Sequence, residues 1–428
     1  MDFIEAIRSD MKPALGVTEP AAIALACAKA RSLSAEAPLR VSVLVNSGIY
    51  KNAYTCGIPN TSVVGNDYAA ALGCWFGDAE RGLMVLDSIG GDAVAFCAER
   101  IAEGSVEVDM EGVTSDIAIK ATVTTEHDVC EAHILHAHTN ICFLKRNGEV
   151  LLDERKPQTE SADAYAGLES VTLEEMFDFV TNASAGELGF IREAYALNGR
   201  LMREALDNPR CVFARKLLEA NGGEVISDDA EKTALLMAGA AAEARVLGLN
   251  CPAMSITGSG NHGIIASMPL YGCEQVEKHG EEALLRATAL TYLITMYIKH
   301  YSGILSALCG CAVAAGTGMA CGLTFLRGGD LTAVKNTLYN MTNSIVGMIC
   351  QGGNHGCVMK LVSAVKTAFS ASELGMAGAA IEACHGIGDY TPEQTMRNIG
   401  LIAVPGMVRT EETIVGIFRD KDSRKQSE

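Results

Sequence analysis

Residues Ser306 to Lys360 read SALCGCAVAAGTGMACGLTFLRGGDLTAVKNTLYNMTNSIVGMICQGGNHGCVMK, and the rest of the chain is organised around this stretch. Two nearly uncharged segments rich in Gly, Ala, Ser and Cys carry Cys309, Cys311, Cys350 and Cys357. A helix joins them, with Asp330 placed to cap its N-terminus. Cys309 and Cys350 are 41 positions apart, and Gln-Gly-Gly-Asn-His-Gly separates Cys350 from Cys357. A glycine-rich loop permits positive φ values and close backbone approach, as wrapping a chain around an inorganic cluster requires. The competing reading is a core in which cysteine substitutes for alanine. No Cys-x-x-Cys pair occurs, which disfavours a zinc ribbon, a thioredoxin-type dithiol and a ferredoxin.

Working outward, the composition supports closely packed helices. Hydrophobic residues make up 49% of the 428 positions but aromatics only 5%, so Ala, Leu, Val, Ile, Met and Gly fill the interior. The length allows one large domain and fits two or three better. A formal charge of −18 argues against nucleic acid, whose binding requires a basic surface. The N-terminus MDFIEAIRSDMK is charged from Asp2 onward and lacks an apolar signal core, which points to a cytoplasmic protein. Fifteen cysteines in such a chain are not expected to form a disulfide framework. Tyr301 to Phe325 is uncharged and long enough to span a bilayer, but small residues dominate it and make insertion weakly favourable, so no membrane partner is expected.

In chain order, Asp2 to Ser32 reads as helical with a break at KPALGVTEP (Lys12 to Pro20), and Glu19 sits at the mouth of the second helix. A carboxylate there either complements the helix dipole or belongs to a site. Leu39 to Ser47 alternates as a half-buried strand, and the turn-rich GIYKNAYTCGIPNTS follows it. Tyr68 to Phe76 and Asp92 to Glu103 read as helices. Ser105 to Asp109, Ile117 to Thr125 and Val129 to His136 read as strands, and Asn147-Gly148 joins a hairpin of Ile141 to Arg146 with Glu149 to Asp153. Lys156 to Gly167 is a polar linker, after which the period turns helical. The capping box Thr172 to Glu175 opens one helix, Ser227 to Leu247 and Ala283 to His300 form two more, and Thr391-Pro392 opens a late one. The tail from Arg419 is expected to fray.

Two further constellations carry polar chemistry. In MSITGSGNHGIIASM (Met254 to Met268), glycines alternate with Ser259 and Asn261 and expose backbone N–H groups suited to a carboxylate or phosphate, although neither a P-loop nor a dinucleotide fingerprint is matched. His133, His136 and His138 cluster near a strand end. His136 and His138, two apart, would share a face, and a structural role is the simpler reading.

Together these segments resemble the L-cysteine desulfidase family, related to the α domain of iron–sulfur L-serine dehydratases. The resembling pieces are GVTEP (Gly16 to Pro20), Lys51-Asn52 with Pro59, HTN (His138 to Asn140), TGSGNHGI (Thr257 to Ile264), SALC (Ser306 to Cys309) and the run from Gly347 to Lys360. The resemblance implies a [4Fe-4S] cluster with three ligands, Cys309, Cys350 and Cys357, and one open iron; Cys311 ranks below Cys309. The open iron would act as a Lewis acid on the β-thiol or β-hydroxyl of a small amino acid while a base removes the Cα proton. L-cysteine would yield pyruvate, ammonia and sulfide. Thr257 to Asn261, with Ser259, Gly260 and Asn261, would bind the carboxylate, and Lys51, Asn52, His138 and Asn140 would line the pocket. Two departures matter. Val17 stands where the family commonly has its cysteine base, and Gln351 where an Asp usually follows the second ligand. Glu19 or His262 is then the expected replacement base, and an L-serine dehydratase or a non-catalytic amino-acid binder are the alternatives.

The expected fold is α+β: a mixed α/β N-terminal unit followed by a mainly helical, Gly/Ala-rich catalytic domain. Residues 1–35 would form helices packing on the helical domain, 36–155 the mixed unit, and 165–428 the helical domain. Assembly as a homo-oligomer is compatible with this reading.

Overall fold

The computed structural model describes residues 1–156 and 167–425. The first half contains α1 (Phe3–Asp10), β1 (Lys12–Leu15), α2 (Thr18–Arg31), β2 (Arg40–Val45), α3 (Ser47–Ala53), α4 (Asn66–Phe76), α5 (Gly91–Ala102) and β3 (Val106–Met110). It continues with β4 (Ala118–Thr124), β5 (Val129–Leu135), β6 (Ile141–Arg146) and β7 (Glu149–Asp153). Beyond the polar segment come α6 (Leu173–Asn182), α7 (Arg192–Asp207), α8 (Val212–Ala220), α9 (Ala230–Val246), β8 (Pro252–Ser255), α10 (Gly260–Glu277) and α11 (Glu281–Ser302). The chain ends with α12 (Gly316–Leu326), α13 (Leu331–Ile345), α14 (Gly356–Met376), α15 (Pro392–Leu401) and α16 (Val408–Lys425). The fold is α+β, as the sequence pattern indicates.

Six strands pair in the order β3-β2-β4-β5-β6-β7; β2 and β3 are parallel and the remaining pairs antiparallel. Alternation in β4 buries Ile119, Ala121 and Val123 on one face, where α2 packs. The β6–β7 hairpin turns at Asn147 and Gly148, both at positive φ, as a two-residue turn matching strand twist requires. Behind α2 lies α4. A Cβ on Gly73 would stand 2.4 Å from the Ala24 Cα, so glycine sets how close these helices come.

The helical half is built differently. From Thr233 to Val246 every residue of α9 is buried, and α10 is buried along most of its length, so neither has an apolar stripe. Small residues let the backbones touch: a Cβ on Gly318 would lie 2.5 Å from the Thr291 carbonyl oxygen, and one on Gly322 would lie 2.7 Å from that of Ala287. Buried threonines bond within or between the helices; Thr291 Oγ1 donates to the carbonyls of Ala287 and Gly318 at 3.0 and 3.2 Å. The caps at Thr172, Asp330 and Thr391 form as read, and Gly248 follows α9 at positive φ.

Several local expectations are corrected. The break after α1 is a strand, β1, paired antiparallel with β8 some 240 positions later, a contact that no local period encodes. The first 35 residues divide: the buried side chains of α1 join the helical core and those of α2 the sheet core. Gly48 to Ala53 is helical, within α3. β5 ends at Leu135 and His136 takes a positive φ, so His136 and His138 share no strand face; the His136 ring instead bonds Asp116 at 2.7 Å. The tail is helical to Lys425, because Phe418 stacks on Tyr54 and Asp422 accepts from the Tyr54 hydroxyl at 2.6 Å. Most of the linker, residues 157–166, lies outside the described residues. Tyr301 to Phe325 folds as a helix end, a loop, a π turn (Cys311–Ala315) and α12. Among the described residues no helix is long and apolar enough to cross a membrane.

Candidate functional site

The β1–β8 ribbon sets Val17 to Glu19 beside Ile256 to Ser259, and Thr18 Oγ1 donates to the Gly258 carbonyl at 3.4 Å. Gly16, at φ +65°, lets the chain turn against Pro59; a Cβ there would stand 2.8 Å from the ring. The loop after Cys350 lies across the end of α3. Gly353 N–H donates to the Asn52 carbonyl at 3.1 Å, and a Cβ on Gly352, at φ +88°, would lie 2.2 Å from the Lys51 oxygen. Sequence segments separated by hundreds of positions thus converge on one place.

A chain of polar contacts runs across it. Cys350 Sγ donates to Asn52 Oδ1 at 3.6 Å, and Asn52 Nδ2 donates to Glu19 Oε1 at 3.0 Å. The same Oε1 is 3.6 Å from His138 Nε2, beyond hydrogen-bond reach, and that nitrogen has no other partner. Burial opposes the Glu19 charge, yet His138, Asn52 and the positive Arg245 together hold its pKa at about 2. His262, in the first turn of α10, bonds Thr257 Oγ1 through Nδ1 at 2.6 Å, while its Nε2 faces Gly310 between the first two thiols. Burial first, then the charges of Lys299 and Arg245, push its pKa well below the usual imidazole value, so the ring is neutral at neutral pH.

The thiols come together through backbone pairing. Leu308 and Ile349 form an antiparallel bridge, with Cys309 N–H donating to the Met348 carbonyl at 2.9 Å and Cys350 N–H to that of Ala307 at 2.6 Å. Cys311 opens the π turn, and Cys357, in the first turn of α14, donates to the Gly352 carbonyl at 3.4 Å. A hydrogen bond from Cys311 lowers the pKa of Cys309 to about 6 against the effect of burial, with Lys360 helping, and the Cys311 thiol is raised correspondingly. Lys360 Nζ is buried without a hydrogen-bond partner. Burial works against its charge, but the four neighbouring thiols raise its pKa. Lys299 donates to the Gly303 and Ile304 carbonyls, and burial brings its pKa down to about 8.

No three of these four sulfurs lie within 4.8 Å of one another among the described residues, a spread too wide for one mononuclear ion. Four cysteines brought together by a backbone bridge and a glycine-rich loop, beside a buried amine without a partner, fit a larger anionic group such as an iron–sulfur cluster. The donor groups that do lie within that distance, Cys273-Glu277-His279 and Glu382-Cys384-His385, are elsewhere. Arg327 already grips Glu277 there at 2.6 Å, and the second trio is exposed.

Of the residues singled out from sequence, Glu19, Asn52, His138, Gly260, Asn261, His262, Cys309, Cys350 and Cys357 share this neighbourhood. Ser259 caps α10 with no side-chain cap bond. Lys51 is buried with its Nζ bound to Glu411 Oε2 at 2.6 Å and the Ser306 carbonyl at 3.1 Å, so its charge is already matched. Asn140 is exposed and its amide donates to the Leu135 carbonyl at 2.9 Å, which makes it a turn residue. Sequence reasoning missed three buried cations, Arg245, Lys299 and Lys360. Arg245 and Lys299 follow long apolar runs within their helices and Lys360 closes the cysteine-rich stretch, and that contrast was the available signal. Val17, 4% exposed at the N-cap of α2, presents only methyl groups beside Glu19.

Residues 145–416 match the family model described as serine dehydratase alpha chain. The chain is 36% identical over 422 residues to a UPF0597 protein of Clostridium botulinum (strain Okra / Type B1), covering 97% of this chain and 98% of the relative. It is 36% identical over 421 residues to one from Desulfotalea psychrophila, covering 96% of each, and 32% identical over 425 residues to one from Clostridioides difficile, covering 97% and 99%. The chain therefore belongs to the serine dehydratase alpha chain family.

Proposed function

We propose that this protein is an iron–sulfur-dependent lyase that eliminates the β-substituent of a small L-amino acid, with L-cysteine, giving pyruvate, ammonia and sulfide, as the preferred substrate. The observation that carries the reading is that Cys309, Cys350 and Cys357 come together beside the unpartnered Lys360 Nζ, with Asn52, Glu19 and His138 in a chain of polar contacts from Cys350 and with His262 against Gly310. The bound cluster would supply Lewis acidity toward the leaving sulfur or oxygen.

Every other role falls to this chain's own groups. Asn52 donates to Glu19 and lies beside Cys350 Sγ, and so sets the distance between the two sides of the site. Glu19, with a pKa of about 2, is too weak a base for a Cα proton; it orients Asn52 through their hydrogen bond and places a negative charge 3.6 Å from His138 Nε2. His262 is the better candidate for the base. The role requires the tautomer in which Nδ1–H donates to Thr257 Oγ1, which leaves Nε2 of the neutral ring as acceptor on the thiol side. Replacement of His262 by Asn should lower turnover by about 10²–10⁴-fold.

Anaerobic protein reconstituted with iron and sulfide should show cluster absorbance and release sulfide and pyruvate from L-cysteine. Absence of both would end the proposal. L-serine is the second substrate to test, favoured by the family description. The methyl groups of Val17 motivate the third reading, a binder without turnover, which any product formation by the unaltered protein excludes.

A further inference from the structure

Two charged side chains are buried in α9, Glu243 and Arg245. Glu243 accepts from the Phe213 and Ala214 N–H groups at 3.1 and 2.7 Å, whereas Arg245, only 3% exposed near the end of the helix, is not matched in this way. Its Nε is buried without a partner, and among the described residues no hydrogen bond or ion pair engages the guanidinium. A guanidinium so nearly buried is costly when no hydrogen bond or close ion pair compensates it. Glu19 is close enough for the two charges to interact but does not come within ion-pair distance.

The surroundings say what is missing. The Arg245 side chain lies against Gly260, the first residue of α10; a Cβ there would stand 2.4 Å from Nε and 3.0 Å from Cδ. Glycine at this position therefore makes room for the guanidinium, and the two features are one construction. The N-terminus of α10 ends at the same spot, and the Ser259 side chain makes no cap bond to it. One position along, Asn261 is 3% exposed and carries a buried Oδ1 with no donor. Unpartnered donors of positive charge and an unpartnered acceptor thus sit side by side.

We propose that Arg245 binds the α-carboxylate of the substrate, jointly with the N-terminus of α10, and is the residue that restricts the pocket to amino acids with a free carboxylate. The guanidinium fork matches a carboxylate bidentately, and Asn261 Oδ1 is left to accept from the α-ammonium. Arg245 is a positioning and specificity residue, with no proton to take or give. The inference rests on the reading of this pocket as an amino-acid site, but not on turnover.

The test uses L-alanine, which has no β-leaving group, and L-alaninamide, which lacks the carboxylate, titrated calorimetrically into the anaerobically prepared full-length protein. Binding of L-alanine and at least tenfold weaker binding of L-alaninamide are expected. Arg245→Gln should weaken L-alanine binding at least tenfold while changing L-alaninamide binding little, and Gly260→Ala, which displaces the guanidinium, should do the same. Equal binding of the two ligands by the unaltered protein would overturn the proposal. That comparison needs no variant and holds even if Arg245→Gln fails to fold. Undiminished L-alanine binding by folded Arg245→Gln would overturn it equally. Carboxylate-dependent binding without sulfide or pyruvate production would sink the lyase reading and leave this one standing; turnover of L-cysteine with no preference for the carboxylate would do the reverse.

Discussion

The two walls of the candidate site are made in different ways. The thiol wall comes from one continuous stretch, Ser306 to Lys360, whose cysteines are positioned by a backbone bridge and a glycine loop. The polar wall is gathered from α2, α3, the turn after β5, α9 and the start of α10, and is held by side-chain contacts such as Asn52 to Glu19. On the thiol wall the identity of the donor atom matters most. On the polar wall the same residue types take their properties from their neighbours: Glu19 is kept ionised and His262 neutral within one site. Losses on the first wall should therefore be all-or-none, and losses on the second graded.

The largest effect expected is on the cluster. Cys350→Ala should abolish cluster absorbance after anaerobic reconstitution, while Cys311→Ala, which removes only the thiol donating to Cys309, should retain it. Retained absorbance in Cys350→Ala would break the comparison at its strongest point. Next is Lys51→Met, which leaves Glu411 buried and unpaired beneath the thiol wall and should cost about 3–5 kcal/mol in urea unfolding. A loss below 1 kcal/mol would mean that the ion pair does not hold α16 to the site.

The Glu19 carboxyl gives a graded and pH-dependent effect. Its folded pKa of about 2 lies below the ordinary 4.5, so its ionised form stabilises the fold above pH 4.5 and that contribution is lost as the pH falls through 2. The stability advantage over Glu19→Gln should shrink by about 3 kcal/mol between pH 5 and pH 2. A difference independent of pH would show that His138, Asn52 and Arg245 do not act on its charge. The smallest effect belongs to the backbone: Gly352→Ala, strained at φ +88° and pressed on the Lys51 carbonyl, should cost about 2 kcal/mol and blunt cluster uptake. A neutral result would show that the loop has room to shift.

Much of this molecule was legible in the sequence. The alternation of β4, the Asn147-Gly148 hairpin, the Thr172 and Asp330 caps and the all-round apolar helices are local properties, because hydrogen bonding and burial repeat along a strand or helix with its own period. The thiol wall was legible for the same reason, since glycine and cysteine occur together in one short stretch. The β1–β8 ribbon, the helix over Lys51 and Asn52 and the separation of His136 from His138 were not, because each depends on a partner far along the chain or on a turn that the local pattern does not mark.

The chain by itself determined which residue types were present: three matching cysteines, a TGSGN turn, a valine in place of a thiol. Only the tertiary structure decided which of them meet, and in what charge state. Packing turned Asn140 out to a backbone carbonyl, matched Lys51 with Glu411, and brought Arg245 against Gly260 with no direct ion pair among the described residues. The physical reason is that burial and ion pairing are properties of a place in space, assembled here from segments up to 360 residues apart, and sequence spacing carries no record of them.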